Sequence, residues 1–323
     1  MNIYGNTMKI VITGALGHIG SRLIREIPQM FPQTEIVMID NLLTQRYCSL
    51  FNLPSNGSYH FIEEDVLKTN LNPLFSQVDV VIHLAALTDA AASVKNREEV
   101  EHLNFHSTEK VAKTCIQEDC AMIHLSSTSV YTPQSDYVDE MCQESDLKPN
   151  NPYAQTKLKE ERLLDDLSKN HNFRFVNLRF GTICGISPGM RFHTAVNHFC
   201  WQAVMRQPLT VWKTALYQKR PYLDLADAMS AMEFVIKKDI FDNQTYNVLT
   251  ENLTVMDIIE LIKKQVTEIE IEYVDSEIMN ELSYEVSNQR LSNKGFKSKG
   301  SIIESVFDTI ELLSNCNNYK GIT

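Results

Sequence analysis

The chain has 323 residues, of which 43% are hydrophobic and 22% charged, and its formal net charge is −11. This balance is ordinary for a globular protein and excludes the basic surface that free-standing nucleic-acid binding requires. No apolar run reaches 18 residues, so no membrane span is expected. Seven cysteines are scattered without a C-x-x-C pair, and residues 1–7 lack the pattern of a signal peptide. We therefore expect a cytoplasmic protein with neither a disulfide framework nor a metal site.

Short apolar runs alternate with helical patterns through the first half of the chain. Near-continuous apolar runs are typical of parallel strands that are buried on both faces. Strands are predicted at Ile10–Thr13, Glu35–Asp40, Tyr59–Glu63, Val78–Leu84, Ala121–Ser126 and Phe173–Arg179. Helices are predicted at 18–28, 95–117 and 152–170. This alternation indicates an α/β fold with a doubly wound parallel sheet.

The first strand runs directly into three glycines at spacing three, Gly14, Gly17 and Gly20, and an amphipathic helix follows. In a phosphate-binding strand–turn–helix, the first glycine permits the tight turn and the second lets backbone N–H groups approach a pyrophosphate. The third lets the helix pack closely on the strand. The helix N-terminus adds free N–H donors and partial positive charge. The loop, with His18 and Ile19 inside it, therefore predicts a bound dinucleotide.

Asp40 ends the second strand, 20 residues after Gly20. A carboxylate at this position accepts hydrogen bonds from the ribose hydroxyls of the adenosine. Because it also repels a 2′-phosphate, Asp40 favours NAD over NADP, although Arg46 could weaken that preference. The alternative is that Asp40 and Asn41 form only a polar turn at the end of the strand.

After Phe180 the pattern changes to that of a smaller α/β lobe. Helices are predicted at 192–206, 224–238, 255–266 and 301–314, with strands at 209–212, 244–249 and 268–274. We expect residues 1–180 to form a Rossmann-like NAD-binding domain that also carries the catalytic residues. Residues 181–323 would form mainly a substrate-binding lobe, with the segment at about 224–249 returning to pack on the first domain.

Two candidate catalytic residues lie at the start of the helix predicted at 152–170. Asn151 and Pro152 suit the N-cap and first position of a helix, so Tyr153 and Lys157 lie at i and i+4 on one face. A phenol has a pKa of about 10 in water, and a neighbouring ammonium and an oxidised nicotinamide ring both lower that pKa. The pair could then take a proton from a substrate hydroxyl as hydride leaves the carbon.

The fifth strand ends in a run of hydroxyl side chains, from Ser126 to Ser129. Small hydroxyls at the carboxyl end of a parallel strand face the crevice in which ligands bind. Any one of them could hydrogen-bond the reacting oxygen. The alternative is a polar turn with no role in chemistry.

Taken together, these motifs resemble the extended short-chain dehydrogenase/reductase family, in particular its nucleotide-sugar epimerase/dehydratase branch. The resemblance covers nearly the whole chain. It is carried by T-G-A-L-G-H-I-G (13–20), I-D-N-L (39–42), H-L-A-A (83–86), S-S-T-S-V-Y (126–131), Y-A-Q-T-K (153–157), L-R-F-G-T-I-C-G (178–185) and R-P-Y-L-D-L-A-D (220–227).

The resemblance implies roles for individual residues. Ser127 matches the catalytic hydroxyl, Tyr153 the proton-transferring tyrosine, and Lys157 the lysine that binds the nicotinamide ribose and lowers the pKa of the tyrosine. Further cofactor contacts are implied at Asn41, Asp65, Val66, Leu84, Ala85, Ala86, Asn104, Tyr153, Lys157 and Phe180. Substrate contacts are expected at Thr88, Ser127, Thr128, Thr182, Arg191 and Arg220.

Two departures from the family pattern bear on the substrate and the reaction. The 4,6-dehydratases of the family carry Asp-Glu after the catalytic hydroxyl, where this chain has Thr128-Ser129, so a dehydratase is disfavoured. Many UDP-sugar epimerases have Asn at the position of Thr182 and an arginine in a turn within the segment corresponding to Glu277–Asn288, which has none.

Two other arginines are therefore the candidates for binding a diphosphate, because a guanidinium can grip a phosphate in a bidentate fork. Arg220 matches the arginine that opens a conserved family segment. Arg191 is the second candidate, with a solvated helix-start residue as its alternative. A nucleoside-diphosphate sugar is the expected substrate, without a commitment to UDP.

Four histidines, His83, His102, His106 and His124, lack the spacing of a metal site and are interpreted as core or surface residues. The apolar stripes of the helices at 95–117 and 152–170 must pack partly on the sheet. The resemblance implies that these two helices also form a four-helix homodimer interface.

The resulting hypothesis is an NAD-dependent nucleotide-sugar epimerase, with C4 as the first choice of carbon. The sugar is transiently oxidised to a keto-sugar and then reduced on its other face. The alternatives are a nucleotide-sugar dehydrogenase or ketoreductase, a 4,6-dehydratase, and a non-catalytic NAD-binding regulatory subunit.

Overall fold

The computed structural model describes residues 7–88, 93–94, 96–275 and 283–315. In chain order the strands are β1 (Lys9–Thr13), β2 (Glu35–Asp40), β3 (Ser58–Glu63), β4 (Val80–His83), β5 (Ala121–Ser127), β6 (Tyr137–Val138), β7 (Phe175–Phe180), β8 (Thr182–Cys184), β9 (Leu209–Trp212), β10 (Arg220–Asp224), β11 (Gln244–Val248), β12 (Glu251–Leu253), β13 (Ile271–Val274) and β14 (Glu285–Val286). The helices are α1 (His18–Met30), α2 (Asn72–Phe75), α3 (Arg97–Glu118), α4 (Pro152–Asn170), α5 (Ala195–Val204), α6 (Leu225–Lys238), α7 (Val255–Lys263), α8 (Gln289–Asn293) and α9 (Ile302–Ser314).

The central sheet contains seven parallel strands in the order β3-β2-β1-β4-β5-β7-β11. The chain winds outward from β1 to β3 in one direction and from β4 to β11 in the other. The order therefore reverses between β1 and β4, and ligands of such sheets bind at the carboxyl ends of the strands beside this switch point. The predicted doubly wound sheet is confirmed.

Both faces of the sheet are covered, which explains its near-continuous apolar strands. Ile10 and Ile12 of β1 pack into one core with α1 and α6, whereas Val11 points into the opposite core with α3 and α4. Successive residues of a strand point to opposite faces, so a strand with two buried faces shows no polar alternation.

A third core lies in the C-terminal part of the chain, where α5, α7 and α9 surround short strands. Val196, Ile258 and Val306 are among its buried residues. Small sheets of two or three strands accompany this core, in the orders β12-β10-β8 and β13-β9. The part of the chain between β10 and β12 returns to the large sheet. There, α6 packs beside α1 and β11 pairs with β7.

Among the described residues, the longest helices are too polar to cross a lipid bilayer.

Candidate active site

The glycine loop connects β1 to α1 at the switch point of the sheet. Gly14 has a φ of +66°, and a Cβ there would lie 2.6 Å from the backbone nitrogen of Ala85. A Cβ at Gly20 would lie 2.6 Å from the carbonyl oxygen of Ala15. At Gly17, by contrast, the nearest atom to a Cβ would be 3.3 Å away. The fold itself thus requires the first and third glycines, while the second leaves an open cradle at the N-terminus of α1 that fits a pyrophosphate.

Asp40 lies at the carboxyl end of β2, next to this loop. Its carboxylate accepts hydrogen bonds from the backbone N–H of Leu16 at 3.0 Å and of Leu42 at 2.9 Å. These bonds aim the carboxylate along the glycine loop and leave lone pairs for ribose hydroxyls. Arg46 approaches the same place: burial lowers the pKa of its guanidinium, and the charge of Asp40 opposes that effect. The neighbouring Asn41 is exposed, and its side chain accepts from the N–H of Leu43 at 3.1 Å.

The turn after β3 contains Asp65 and Val66, two of the cofactor contacts that the family resemblance implies. The Asp65 carboxylate accepts from the N–H of Leu67 at 2.9 Å, and Val66 is buried. The side chain of Asp65 therefore shapes the turn, as a short acidic residue often does.

The segment after β4 passes directly over the glycine loop. The Leu84 N–H donates to the Thr13 carbonyl at 3.0 Å, and the Ala85 N–H donates to the Thr13 hydroxyl at 3.3 Å. Asn104 on α3 is buried, and its amide group bonds to both the N–H and the carbonyl of Leu87, at 2.7 and 2.9 Å. Asn104 thus holds the backbone beyond Ala86 in place. Its predicted cofactor contact remains a prediction.

A segment of the C-terminal part closes against the glycine loop. The Ser187 hydroxyl donates to the His18 carbonyl at 2.8 Å, and the imidazole Nε2 of His18 lies 2.8 Å from the Gly185 carbonyl oxygen. Burial lowers the pKa of His18 to about 4, so the imidazole is neutral near pH 7 and Nε2–H donates. The Gly189 N–H donates to the Ser21 hydroxyl at 2.9 Å. These bonds fix the segment that leads to Arg191.

Tyr153 and Lys157 lie on one face of the first turns of α4. The helix begins as predicted: Asn151 is the N-cap and accepts from the N–H of Ala154 at 2.9 Å, and Pro152 follows. The Ser127 side chain at the end of β5 lies near the phenol of Tyr153. Burial raises the pKa of that phenol, whereas the charge of Lys157 and the Ser127 side chain lower it.

Ser127 is held by its own turn. Its Oγ accepts from the N–H of Ser129 at 3.2 Å and lies 2.8 Å from the Ser129 Oγ. The Thr128 side chain is buried and its hydroxyl donates to the Phe180 carbonyl at 3.3 Å. Thr128 therefore ties β5 to β7, and a substrate contact from it is still a prediction.

Lys157 is buried together with a carboxylate that the sequence predictions did not include. Its Nζ donates to Oε2 of Glu160 at 2.8 Å, and Nε2 of His124 approaches the same oxygen at 2.8 Å. The neighbouring charges lower the pKa of Glu160 to about 2 despite its burial. The only sign of this cluster in the sequence is a histidine in the otherwise apolar strand 121–125.

His124 also belongs to a row of polar side chains that crosses the sheet. Successive members are register partners on β1, β4, β5, β7 and β11. The row consists of Thr13, His83, His124, Asn177 and Thr245. Thr13 is hydrogen-bonded to His83 at 2.7 Å. Asn177 is hydrogen-bonded to His124 at 2.9 Å and to Thr245 at 3.2 Å. Burial and the nearby charge of Lys157 lower the pKa of His83 to about 3.

His83 and His124 are thus core residues, as interpreted, whereas His102 and His106 are exposed on α3. Across the described ranges, no group of three His, Cys, Asp or Glu side chains could hold a metal ion.

The two arginines predicted to bind a diphosphate both contact other side chains. Arg191 donates to the hydroxyl of Thr88. Arg220, at the start of β10, stacks over the ring of Tyr284 at 4.9 Å and donates to the Gln218 side chain at 2.7 Å. Tyr284 is buried and was not among the predicted residues. The pKa of Arg220 is lowered by burial.

Two predicted features remain to be placed. Thr182 is half-buried at the start of β8, beside Tyr222. The predicted segment without an arginine, Glu277–Asn288, lies partly outside the described residues, which omit 276–282.

Known proteins share both the sequence and the fold of this chain. The uncharacterized UDP-glucose epimerase YtcB of Bacillus subtilis is 28% identical over 266 residues, which are 79% of this chain and 81% of that protein. The dTDP-D-glucose 4,6-dehydratase of Bos taurus is 26% identical, over 97% of this chain and 91% of that protein.

The crystal structure of UDP-glucuronic acid 4-epimerase from Bacillus cereus, in complex with UDP-glucuronic acid and NAD, matches with a TM-score of 0.82. The identity is 27%, and the match covers 95% of this chain and 100% of that chain. The profile of the NAD dependent epimerase/dehydratase family matches residues 10–248. These matches confirm the predicted family, fold class and cofactor. The chain therefore belongs to the NAD dependent epimerase/dehydratase family.

Proposed function

We propose that this protein is an NAD-dependent epimerase that inverts C4 of a nucleoside-diphosphate sugar. The observation that carries the proposal is the proximity of Ser127 and Lys157 to the phenol of Tyr153 near the carboxyl end of β5, in the same parallel sheet as the strand that leads into the glycine loop. The 27% identity to a UDP-glucuronic acid 4-epimerase over the full length of that chain supports this reaction.

The residues of the crevice fit NAD. The glycine loop would hold the pyrophosphate, Asp40 the adenosine ribose, and Lys157 the nicotinamide ribose. When bound, NAD would supply a reversible hydride acceptor and the positive charge of the oxidised nicotinamide ring. The turn at Asp65 and Val66 would flank the adenine.

The chain's own residues would handle the proton. Tyr153 takes the proton from the C4 hydroxyl and later returns it, while the Ser127 hydroxyl donates a hydrogen bond to the reacting oxygen. Burial alone works against this task, because it raises the pKa of Tyr153. The ammonium of Lys157 and the positive nicotinamide would lower that pKa to a range useful at neutral pH.

Arg191 and Arg220 would bind the diphosphate from the C-terminal side, and Thr88, Thr128 and Thr182 would line the sugar site. The stacking of Arg220 on Tyr284 supports this role, because it holds the planar guanidinium in one orientation. A preorganised fork loses less entropy when it grips a phosphate.

A 4,6-dehydratase is the second candidate, because the dehydratase of Bos taurus is 26% identical along 97% of this chain. Elimination of water needs an additional acid and base near the sugar. After Ser127, however, this chain places two hydroxyl residues, Thr128 and Ser129, whose side chains bond to Phe180 and Ser127. This difference favours the epimerase.

The test is a panel assay. Purified protein with NAD is incubated with UDP-, dTDP-, GDP- and CDP-sugars, including UDP-glucuronic acid, and products are followed by NMR and by absorbance of NADH. A new C4 epimer without accumulating NADH supports the proposal. Stoichiometric NADH would instead identify a dehydrogenase, and a 6-deoxy-4-keto product would identify a dehydratase. Bound NAD without turnover of any sugar would favour a regulatory subunit and overturn the proposal for this panel.

Tyr153→Phe is the matched control, since it removes one oxygen atom and keeps the ring. We expect turnover to fall roughly 10³-fold, the contribution of a positioned proton-transfer group. NAD affinity, measured by calorimetry, should stay within a few-fold of the unmodified protein. Retained activity would show that Tyr153 is not the base.

We also propose that the protein is a cytoplasmic homodimer. Helices α3 and α4 pack side by side on one face of the sheet, where Lys159 pairs with Glu101 across them. Light scattering after size exclusion would give twice the chain mass for a dimer, and the chain mass would contradict it.

A further inference from the structure

Glu160 is an unusual neighbour for the proposed nicotinamide-binding lysine. It follows Lys157 by three positions on α4, so the two side chains extend from one face of the helix. Both are out of contact with solvent, with side-chain exposures of 0% for Glu160 and 5% for Lys157. A buried carboxylate is costly unless it is paired, so its presence here indicates a specific arrangement.

A single oxygen atom organises this arrangement. Oε2 of Glu160 accepts from Lys157 Nζ and lies 2.8 Å from His124 Nε2, which donates to it. The other imidazole nitrogen of His124 is 2.9 Å from Oδ1 of Asn177. Asn177 in turn donates to the hydroxyl of Thr245 at 3.2 Å. The sheet thus fixes the carboxylate, and the carboxylate fixes the ammonium.

The charges act on the tyrosine as well as on the lysine. Burial lowers the pKa of Lys157, but Glu160, together with Tyr153 and Glu161, outweighs this effect, so the pKa is raised. The same carboxylate raises the pKa of Tyr153, against the effect of Lys157.

Other titratable groups also face this cluster. They are His83 from β4, His124 from β5, Glu161 from α4, and Arg191, whose charge reaches Tyr153.

We propose that Glu160 tunes Tyr153 electrostatically: its carboxylate, anchored by His124 and bonded to Lys157, offsets part of the positive charge that Lys157 presents to Tyr153. The proposal rests on the roles proposed above for Tyr153 and Lys157. Glu160 touches neither the substrate nor the cofactor in this account and acts on Tyr153 only through its charge.

The adjacent residue provides a matched control. Glu161 is also buried on α4, but its carboxylate accepts from Arg179 at 2.9 and 2.6 Å. Glu160→Gln and Glu161→Gln make the same chemical change in neighbouring buried ion pairs. A merely structural role of Glu160 predicts that both variants behave alike.

The experiment titrates Tyr153 directly and needs no sugar. Tyrosinate absorbance near 295 nm is followed against pH in the NAD-saturated protein, and the spectrum of the same variant carrying Tyr153→Phe is subtracted. We expect the tyrosinate of Glu160→Gln to form at lower pH than that of the unmodified protein, because a nearby negative charge is gone while the ammonium of Lys157 stays. Glu161→Gln should titrate close to the unmodified protein.

An unchanged or upward shift in Glu160→Gln, or an equal shift in both variants, would overturn the proposal. If Glu160→Gln does not fold, Glu160→Asp carries the test, because it withdraws the carboxylate from Lys157 by one methylene. Its tyrosinate should form at lower pH by a smaller amount, and an Asp variant that titrates like the unmodified protein would overturn the proposal. Failure of the sugar assay would not affect this result, so the two proposals can fail separately.

Discussion

The two sides of the crevice are built in different ways. The cofactor side is a sheet of seven parallel strands whose glycine loop is fixed by backbone contacts, such as the close approach of Gly14 to Ala85. The C-terminal side consists of sheets of two or three short strands around a helical core. There, Arg191 and Arg220 are the side chains proposed above to bind the diphosphate. In this proposal, one side recognises its ligand through the backbone and the other through side chains.

This difference explains how one fold can keep its cofactor and vary its substrate. The glycine loop tolerates few substitutions, because a Cβ at Gly14 or Gly20 would collide with main-chain atoms and a Cβ at Gly17 would occupy the cradle. A side-chain site can be altered one residue at a time. Mutations in the glycine loop should therefore reduce stability or NAD binding, whereas mutations of the arginines should reduce binding of the nucleotide sugar.

The largest effect is expected from Gly14→Ala. The methyl group would meet the Ala85 nitrogen at 2.6 Å with φ at +66°, so we expect unfolding free energy to fall by roughly 3 kcal/mol. Gly17→Ala should leave stability within about 1 kcal/mol, since its methyl meets nothing closer than 3.3 Å. It should still weaken NAD binding by about tenfold or more, because the methyl occupies the cradle. Urea denaturation measures the unfolding free energy of the two variants, and calorimetry measures their NAD affinity. Equal losses of stability in Gly14→Ala and Gly17→Ala would contradict this prediction.

The next effect concerns acid. The pKa values of His18 and His83 are lowered to about 4 and about 3, whereas an unfolded chain protonates histidine near 6.5. The unfolded state therefore binds more protons below pH 6.5, so stability is complete above that pH and is lost as the pH falls toward 4. At pH 5, each histidine should lower the free energy of unfolding by on the order of 2 kcal/mol relative to pH 7. Urea midpoints at pH 7 and pH 5 test this, with exposed His102→Gln as the control. Equal midpoints would contradict it.

A smaller and more selective effect is expected from Arg220→Lys. Lysine cannot reproduce the bidentate fork or the stacking on Tyr284, so KM for the nucleotide sugar should rise about tenfold. NAD affinity and the unfolding free energy should stay nearly unchanged. Arg174→Lys, at an exposed ion pair with Asp239, is the control. A loss of NAD affinity in Arg220→Lys would mean that the two sides are not independent.

The smallest effect comes from helix caps. Thr254 forms a capping box with Asp257 at the start of α7, and Thr254→Ala should cost about 1 kcal/mol without changing turnover. Asn151→Ala should cost a similar amount on the cofactor side, yet it should also lower kcat, because α4 carries Tyr153. Thermal unfolding should show similar losses of stability in the two variants, and kcat should fall only in Asn151→Ala. Equal kcat values would show that the cap of α4 does not position the tyrosine.

The cofactor side was largely predictable from the sequence. The strand of Glu35–Asp40 and the helix at 152–170 occur at the predicted bounds, because an apolar run and an Asn-Pro cap are local signals. The fourth strand is shorter than predicted. The Val78 N–H bonds back to Phe75 in the turn after α2, so β4 begins only at Val80.

The C-terminal side was predicted less completely. The sequence does not predict β8 and β10, because the residues that pair in them lie far apart in the chain. Thr182 pairs with Tyr222, and Arg220 pairs with Leu253. Short strands such as these gain their stability from long-range pairing rather than from local preference. The pairing of Glu160 with His124 was missed for a similar reason, since no local pattern joins a helix to a strand 36 residues away.

The row of polar side chains across the sheet has a consequence for how this family member can diverge. Replacing His124 alone by an apolar residue would leave the Asn177 amide and the Glu160 carboxylate buried with fewer partners, at about 1–3 kcal/mol for each. Replacing several members together by apolar residues of similar shape can be nearly neutral. The bonded members His124, Asn177 and Thr245 should therefore be inherited or lost as a unit, and homologues should show correlated substitutions at these positions, which lie far apart in sequence.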